Sequence, residues 1–284
     1  MKVVKELPIS LLRTAQLSAI PISRLKRGPD EVVPVIVSLT SIPSRLKSLH
    51  LVIRSLLAQE VSPKKIVLWL HEDLKTTLPP KLQRLVCERF EIRYSSLTCS
   101  HRKLIHSLEA FPEDTIITCD DDLMYRRDWL SLFYREHLKH PQNIIGNHTV
   151  HINHDREGNP MPFKTWRQPL GGIINPWALT PIGAWGVLYP PNSLSDQVQD
   201  VDLFLELAPR ADDLWFKAMA LIKGTISIQA THLPKEPIPI GGTQKEALKK
   251  DNLGADKNTV QWNALEGRFG LSNIILGSGP GPEN

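Results

Sequence analysis

Three consecutive carboxylates, Asp120, Asp121 and Asp122, are the residues of this sequence whose types and spacing are best suited to chemistry. Adjacent carboxylates repel one another, so their clustering favours a bound cation or several hydrogen-bond donors. Carboxylate oxygens suit Mg²⁺ or Mn²⁺, which can bridge to a diphosphate. In extended backbone Asp120 and Asp122 point to one side and Asp121 to the other, so the pattern predicts a cation at Asp120 and Asp122. An acidic turn or a helix start would contain the same residues.

A second acidic pair, Asp212 and Asp213, opens an apolar helical pattern. A carboxylate fixed at the start of a helix could act as a general base that deprotonates a hydroxyl group. Aspartate is also a common N-cap, and the local sequence by itself favours that structural role for Asp212.

The alternation of apolar strands and amphipathic helices predicts the fold class, an α/β, Rossmann-like and mostly parallel sheet flanked by helices. Strands are predicted at 32–39, 65–70, 90–94 and 114–119, with helices at 44–59, 80–87 and 101–110. Ligands bind at the carboxyl ends of strands in such sheets, so the triplet after the fourth strand lies where a ligand is expected. Further along, the sequence predicts helices at 129–139 and 213–222 and strands at 143–150, 185–189 and 225–229.

The composition is that of a folded globular protein, with 284 residues, 41% hydrophobic residues and a formal net charge of +4. The sequence has no basic run with interleaved aromatic residues, which argues against nucleic-acid binding. Its three cysteines lack C-x-x-C spacing and suit a cytoplasmic location. Residues 1–30 are predicted to form a basic N-terminal arm that could contact an anionic membrane peripherally. The apolar stretch 7–22 is too interrupted to span a bilayer.

Several segments resemble, in the same order, a family-2-like group of bacterial glycosyltransferases associated with capsule and lipopolysaccharide synthesis. They include VSLTSIPSRL, RKLIHSLEAFPEDTIITCDDDLMYRRDWL and LAPRADDLWFKAMALIKGT, followed by Thr243-Gln244 and Gln261. The resemblance covers residues 34–265 and implies a GT-A fold. It places a nucleotide-sugar-binding half at 31–150, continuous with an acceptor-binding half and C-terminal tail at 151–284.

The resemblance also implies roles for individual residues. Asp120 and Asp122 match the motif that binds the metal and the donor, and Asp213 matches the catalytic base of inverting members. Asp212 stands where glutamate is more usual, which leaves the choice between Asp212 and Asp213 open. His232 follows a predicted strand, at a position where some related enzymes place a third metal ligand.

Further candidates for the donor site, besides Asp121, lie near two other element ends. Thr40, Ser41 and Arg45 follow the first strand, where they could hold the nucleoside, although Thr-Ser-x-Pro is also an ordinary turn into a helix. Arg102 and Lys103 open the helix before the triplet, where cationic side chains could meet a diphosphate or stay solvated.

These expectations combine into one predicted reaction, in which a sugar moves from a nucleotide diphospho-sugar to a hydroxyl group of a bacterial surface polysaccharide or glycolipid. The reaction is expected to depend on Mn²⁺ or Mg²⁺ and to invert the anomeric carbon. Two other classes stay open: a phosphate-ester hydrolase that uses an Asp pair, and a non-catalytic protein that binds a nucleotide sugar or a glycan. The sequence does not specify the sugar, the nucleotide, the acceptor or the oligomeric state.

Overall fold

The computed structural model describes residues 2–167, 169–241 and 256–277. The chain divides into two compact units, one formed by Met1–Lys139 and Thr231–Glu246 and the other by His140–Ala230 and Ala247–Asn284. The motif residues Thr243 and Gln244 lie outside the described residues, as does the end of the C-terminal tail, 278–284.

Helices and strands alternate through the first part of the chain. Its elements are α1 (Lys2–Ala19), α2 (Ile22–Arg27), β1 (Val32–Thr40), α3 (Leu46–Leu57), β2 (Ser62–His71), α4 (Pro80–Gln83), β3 (Phe90–Ser95), α5 (Arg102–Ala110), β4 (Thr115–Thr118), β5 (Leu123–Met124) and α6 (Trp129–Lys139). The second part contains β6 (Ile144–Gly146), β7 (Thr149–His151), β8 (Leu179–Pro181), β9 (Val187–Tyr189), α7 (Val201–Leu207), α8 (Asp212–Lys223), β10 (Ser227–Gln229), β11 (Ile238–Pro239), α9 (Lys257–Phe269) and α10 (Leu271–Ile275). Single 3₁₀ turns include Pro43–Arg45 and Gly183–Trp185.

A parallel sheet forms the centre of the first unit. β1 pairs in parallel with β2 on one side and with β4 on the other, and β2 pairs in parallel with β3, so the order is β4-β1-β2-β3. Val35 and Ile36 of β1 are fully buried, as expected for a strand that is covered on both faces. The predicted fold class, a Rossmann-like and mostly parallel α/β sheet flanked by helices, is confirmed.

The second unit contains a smaller mixed sheet. β6 pairs in parallel with β10 and antiparallel with β9, while β7 and β8 form a separate antiparallel pair. The predicted continuous strand 143–150 is therefore wrong, because the chain leaves one sheet after Gly146 and enters the other at Thr149. The break lies where Thr149 pairs with Pro181 of β8, and this close approach requires a glycine, since a Cβ atom on Gly146 would lie 2.9 Å from the Cβ atom of Pro181.

The predicted helices have the observed type, and all but one of them differ at their ends. The helix at 80–87 is shorter than expected and ends at Gln83. Cys87 and Phe90 exchange two backbone hydrogen bonds of 3.1 Å, which turn the chain into β3 and leave no room for further helical turns. The helix predicted at 129–139 begins and ends at these same residues in the structure.

Residues 1–30 contain two helices, where the sequence predicted a basic arm. Leu17 of α1 is fully buried, so one face of this helix packs inside the first unit. The buried guanidinium of Arg54 in α3 donates hydrogen bonds to the carbonyl oxygens of Leu17 at 2.7 Å, Ser18 at 3.1 Å and Ile20. These contacts provide hydrogen-bond donors to carbonyl groups at the end of α1. No helix in the described part of the chain has the length and apolar content needed to cross a bilayer.

Candidate functional site

The carboxyl ends of β1 and β4 lie side by side. Ser38 is aligned with Thr118, and the N–H of Cys119 donates to the carbonyl oxygen of Ser38 at 3.0 Å. The strand order changes direction here, because β2 and β3 follow β1 on the opposite side. Open α/β sheets bind ligands at such a switch point, and the residues that follow β1 and β4 border it.

Asp121 connects the two loops at this switch point. Its carboxylate accepts hydrogen bonds from the Ser41 hydroxyl and from the Arg45 guanidinium, both from the loop after β1. The side chain of Asp121 is only 7% exposed, and that of Arg45 is 14% exposed. Burial raises the pKa of Asp121, and Arg45 and Ser41 oppose this rise. The structure thus gives Asp121 a part in holding the loops together, while donor binding by Asp121 stays a prediction.

Two members of the triplet, Asp121 and Asp122, lie in a turn and not in extended backbone. β4 ends at Thr118, and the chain turns at Asp121 and Asp122. The predicted alternation of side chains is therefore wrong, because Arg45 contacts both Asp121 and Asp122, the latter with 3.3 Å between Nη2 and Oδ2. Burial, followed by the negative charge of Asp120, raises the pKa of Asp122 to about 7.

Asp120 is the most accessible member of the triplet, with a side chain that is 34% exposed. Its Oδ1 atom lies 3.5 Å from Nζ of Lys103, a side chain that is otherwise buried. The backbone N–H of Asp120 donates to the hydroxyl oxygen of Tyr125 at 2.8 Å. The structure therefore brings Lys103 and Arg45 to the triplet, and contact of these cations with a diphosphate stays a prediction.

Thr40 and Arg102 are engaged with protein groups at the same edge of the sheet. The Thr40 hydroxyl donates to the carbonyl oxygen of Trp69 at 2.8 Å and accepts from Arg102. The Arg102 guanidinium also donates to the carbonyl oxygens of Leu97 at 2.6 Å and Ser41 at 2.5 Å. These bonds shape the loop after β1, and contact of either residue with a donor remains a prediction.

The third predicted metal ligand, His232, lies beside Glu136. The distance between His232 Nδ1 and Glu136 Oε2 is 3.9 Å, and the His232 side chain is 69% exposed. Among the described residues, no group of three or more His, Cys, Asp or Glu side chains is arranged to hold a metal ion. Asp120 and Asp122 still offer the hard carboxylate oxygens that Mg²⁺ and Mn²⁺ prefer, so these two residues fit such a cation in donor type.

The second acidic pair lies in the first turn of α8, in the other unit. Both carboxylate oxygens of Asp213 accept from the N–H of Gly183, at 3.2 and 3.1 Å. Asp212 is the first residue of the helix, and the N-cap position belongs to Ala211, which provides no side-chain cap. The N-cap interpretation of Asp212 is therefore wrong by one position, and both carboxylates lie where the helix dipole favours negative charge.

Two side chains with notable environments were not identified from the sequence. The fully buried Tyr125 binds the backbone of Asp120, but a tyrosine after an acidic turn carries no distinctive signal. Lys217 of α8 is 2% exposed, and burial lowers its pKa to about 7. Its position four residues after Asp213, on the apolar side of the helix, was a signal that could have been used.

No family model and no curated protein matches the chain. Several solved structures resemble it at low sequence identity. Residues 1–349 of S. aureus TarS match over 72% of this chain, with a TM-score of 0.44 and 15% identity, and this chain covers 59% of that fragment. The same TarS fragment in complex with UDP matches with a TM-score of 0.44 and 14% identity, over 71% of this chain and 59% of the fragment.

Two synthases also resemble the chain. The 4-diphosphocytidyl-2C-methyl-D-erythritol synthase from Anaerococcus prevotii matches with a TM-score of 0.45 and 13% identity, over 82% of this chain and 97% of the synthase. The CMP:2-keto-3-deoxy-manno-octonic acid synthetase complexed with CTP matches with a TM-score of 0.42 and 12% identity, over 80% of this chain and 100% of the synthetase. At these scores and identities, none of the likenesses carries an argument about activity or about the residues of the site.

Proposed function

We propose that the protein is a glycosyltransferase that moves a sugar from a nucleotide diphospho-sugar to an acceptor hydroxyl group. The observation that carries this proposal is the charged cluster of Asp120, Asp122, Arg45 and Lys103 at the switch point between β1 and β4. A diphosphate needs cationic contacts, and a bridging divalent cation needs carboxylate ligands. This cluster offers both kinds of group at the edge of the sheet where ligands bind.

Departure of the diphosphate is the step that the cluster would assist. The bond between the anomeric carbon and a diphosphate oxygen breaks, and the bonding electrons leave with that oxygen. Arg45 and Lys103 are the cationic groups nearest the triplet and would stabilise the developing negative charge. A Mn²⁺ or Mg²⁺ ion bound by Asp120 and Asp122 would supply further stabilisation of the leaving group.

Asp213 is the proposed general base for the acceptor, and Asp212 is the alternative. The carboxylate would take the hydroxyl proton while the acceptor oxygen attacks the face of the anomeric carbon opposite the diphosphate, which inverts the configuration. The hydrogen bonds from Gly183 support this assignment, because they fix the orientation of the Asp213 carboxylate.

The proposed acceptor is a hydroxyl group of a bacterial surface polysaccharide or glycolipid, reached from the cytoplasmic side of a membrane. Support comes from the ordered resemblance of residues 34–265 to enzymes of capsule and lipopolysaccharide synthesis. No disulfide joins Cys87, Cys99 or Cys119, which suits a reducing compartment.

A panel of UDP-, GDP- and dTDP-linked sugars, each with Mn²⁺, with Mg²⁺ or with EDTA, tests the proposal through thermal shift and nucleotide release. We expect stabilisation that requires both a cation and one particular donor. The Asp122→Ala variant should lose this response, whereas Asp202→Asn, a change of an exposed residue in α7, should keep it. Full activity in folded Asp122→Ala protein would contradict the metal assignment.

The same panel separates the alternative classes. Release of inorganic phosphate without a glycosylated product would indicate a phosphate-ester hydrolase. Specific stabilisation by one donor, with no turnover in the presence of many acceptors, would indicate a nucleotide-sugar binder.

A further inference from the structure

The inward face of helix α1 packs against the rest of the first unit. Leu17 is fully buried, and Ser10 is 3% exposed. The Ser10 hydroxyl accepts a hydrogen bond from the N–H of Gly241 at 3.0 Å, and the Arg54 guanidinium binds the carbonyl oxygen of Leu17. The contacts of Ser10 and Leu17 therefore set the orientation of this part of α1, which also determines the residues that it presents to solvent.

The outward face of α1 is apolar. Ile9, Leu11 and Leu12 are 51%, 61% and 62% exposed, and Arg13 is the only charged residue between Leu7 and the end of the helix. A surface helix usually carries charged and polar side chains on its solvent side. A group of exposed apolar side chains on one helix indicates a surface that contacts a partner or a membrane.

Two cavities with cationic side chains in their lining adjoin this helix within the same unit. The first has a volume of about 400 Å³, and its lining includes Arg13, Leu17, Arg24, Arg27, Arg127 and the acidic Glu60. A second cavity of about 290 Å³ shares Arg13, Glu60 and Arg127 and adds Arg126, Asp128 and Lys235. We refer to the two together as the basic cavity, in which cationic side chains outnumber acidic ones.

The cations of the basic cavity repel one another. Burial, with the charges of Arg126 and Arg127, lowers the pKa of Arg13, whose guanidinium also donates to the carbonyl oxygen of Tyr125 at 3.2 Å. Residues 7–29 contain no Asp or Glu, so neither α1 after Glu6 nor α2 supplies a compensating charge. A bound phosphate-bearing group would relieve this repulsion.

The apolar face and the basic cavity lie next to each other on α1. Ile9 and Arg13 are four residues apart, which makes them neighbours on the helix surface. Apolar side chains beside clustered cations are the combination with which helices bind anionic bilayers.

We propose that α1 docks the protein on an anionic lipid bilayer. Ile9, Leu11 and Leu12 enter the boundary between headgroups and acyl chains, and the basic cavity receives a lipid phosphate. The inference adds a location to the proposed transfer to a glycolipid, but its test does not depend on that reaction, so the two can fail separately.

Co-sedimentation of the full chain with lipid vesicles tests the proposal. One set of vesicles contains phosphatidylcholine only, and the other also contains phosphatidylglycerol. We expect binding to the anionic vesicles, weak binding to the neutral ones, and a decrease as salt is added. The partition coefficient should fall on the order of tenfold for each of Leu11→Gln and Leu12→Gln, and about fivefold for each of Arg24→Gln and Arg27→Gln.

Matched variants elsewhere in the same unit serve as controls. Leu138→Gln removes a leucine that is 63% exposed on α6, and the pair Lys81→Gln and Arg84→Gln removes two exposed cations. These controls should bind as the unchanged protein does. All the altered side chains are exposed, so thermal unfolding should be the same in every variant.

Several results would overturn the proposal. Absence of binding to anionic vesicles would do so, as would equal binding to both sets or unchanged binding by the leucine variants. A dimer that becomes a monomer with Leu11→Gln and Leu12→Gln, without vesicle binding, would assign the surface to a second copy of the chain. Stabilisation by inorganic phosphate that is lost in Arg27→Gln, again without vesicle binding, would assign the cavity to a free phosphate compound.

Discussion

The two acidic clusters of this chain differ in what holds their carboxylates. Asp121 lies inside the first unit between a guanidinium and a hydroxyl group, whereas Asp213 receives the backbone N–H of Gly183 at the start of a helix. A carboxylate paired with a buried guanidinium supports the fold as well as a site. A carboxylate held by a backbone amide can be exchanged for an amide with less structural effect. The same residue type therefore has different roles in the two units.

The largest expected effect is on the rate of transfer at the second cluster. Asp213→Asn should lower kcat by about 10²–10⁴-fold, because the amide cannot accept the acceptor proton, while donor and metal binding persist. The free energy of unfolding should change by less than about 1 kcal/mol, since the amide oxygen still accepts from Gly183. Product formation, donor thermal shift and urea denaturation measure these quantities.

Asp202→Asn is the matched control for this variant, because it also changes an aspartate in the first turn of a helix. Loss of donor binding in Asp213→Asn would place Asp213 in the donor site. A larger loss of activity in Asp212→Asn would move the base to Asp212.

Loss of Arg45 from the first cluster should lower the stability of the protein in addition to any effect on transfer. Arg45→Met leaves Asp121 and Asp122 buried without their cationic partner and should lower the free energy of unfolding by about 3–5 kcal/mol. Adding Asp121→Asn should recover part of this loss, because it removes one of the two buried carboxylates that Arg45 contacts. Urea denaturation measures both, with Arg84→Gln as a control that should lie within about 0.5 kcal/mol of the unchanged protein. A loss below about 1 kcal/mol for Arg45→Met would remove the distinction between the clusters.

The pH dependence of stability reports on Asp122. Its pKa is about 7 in the folded chain, above the ordinary value of 3.8, so the protonated form is favoured on folding. The contribution of Asp122 to the free energy of unfolding is fully present below pH 4 and is lost as the pH rises through 7. Without metal, this loss should be on the order of 2–4 kcal/mol. Unfolding in EDTA across this range should show the decline, and Asp122→Asn should flatten it. If the free energy of unfolding depends on pH in the same way in both proteins, the decline does not come from Asp122.

The smallest expected effect belongs to Tyr125. Tyr125→Phe removes the hydroxyl group that accepts from the N–H of Asp120 and should lower the free energy of unfolding by about 1 kcal/mol. The KM for the donor should rise with little change in kcat if the bond positions Asp120. Tyr134→Phe, on α6, is the matched control. An equal change in stability and KM in both variants would show that the hydroxyl group of Tyr125 does not position Asp120.

Local sequence patterns predicted most of the sheet in the first unit. Long apolar runs such as 32–39 and 65–70 are stable in water only when they are buried. The amphipathic helices that connect such runs leave few possible strand topologies. The break after Gly146 was missed because it depends on the approach of Pro181, which no local pattern announces. The helix at 80–87 ended early for a related reason, the bridge between Cys87 and Phe90.

The position of the candidate site was predictable, but its pairings were not. Placing the Asp triplet at the carboxyl end of β4 needed only the strand pattern and the rule for parallel sheets. The contact of Arg45 with Asp121 joins residues 76 positions apart, and it exists because β4 pairs with β1. The predicted side-chain directions of the triplet depend on extended backbone. In the structure the chain instead turns at Asp121 and Asp122 before β5, which pairs antiparallel with β11.

The three carbonyl contacts of Arg54 have a practical consequence for work with the N-terminus. A truncation that removed residues 1–21 would delete all three acceptors and leave a guanidinium that is 7% exposed facing an empty groove. Such a shortened protein would lose stability even if every residue of the candidate site were retained. Affinity tags and fusions should therefore extend the chain before α1 and should not replace it.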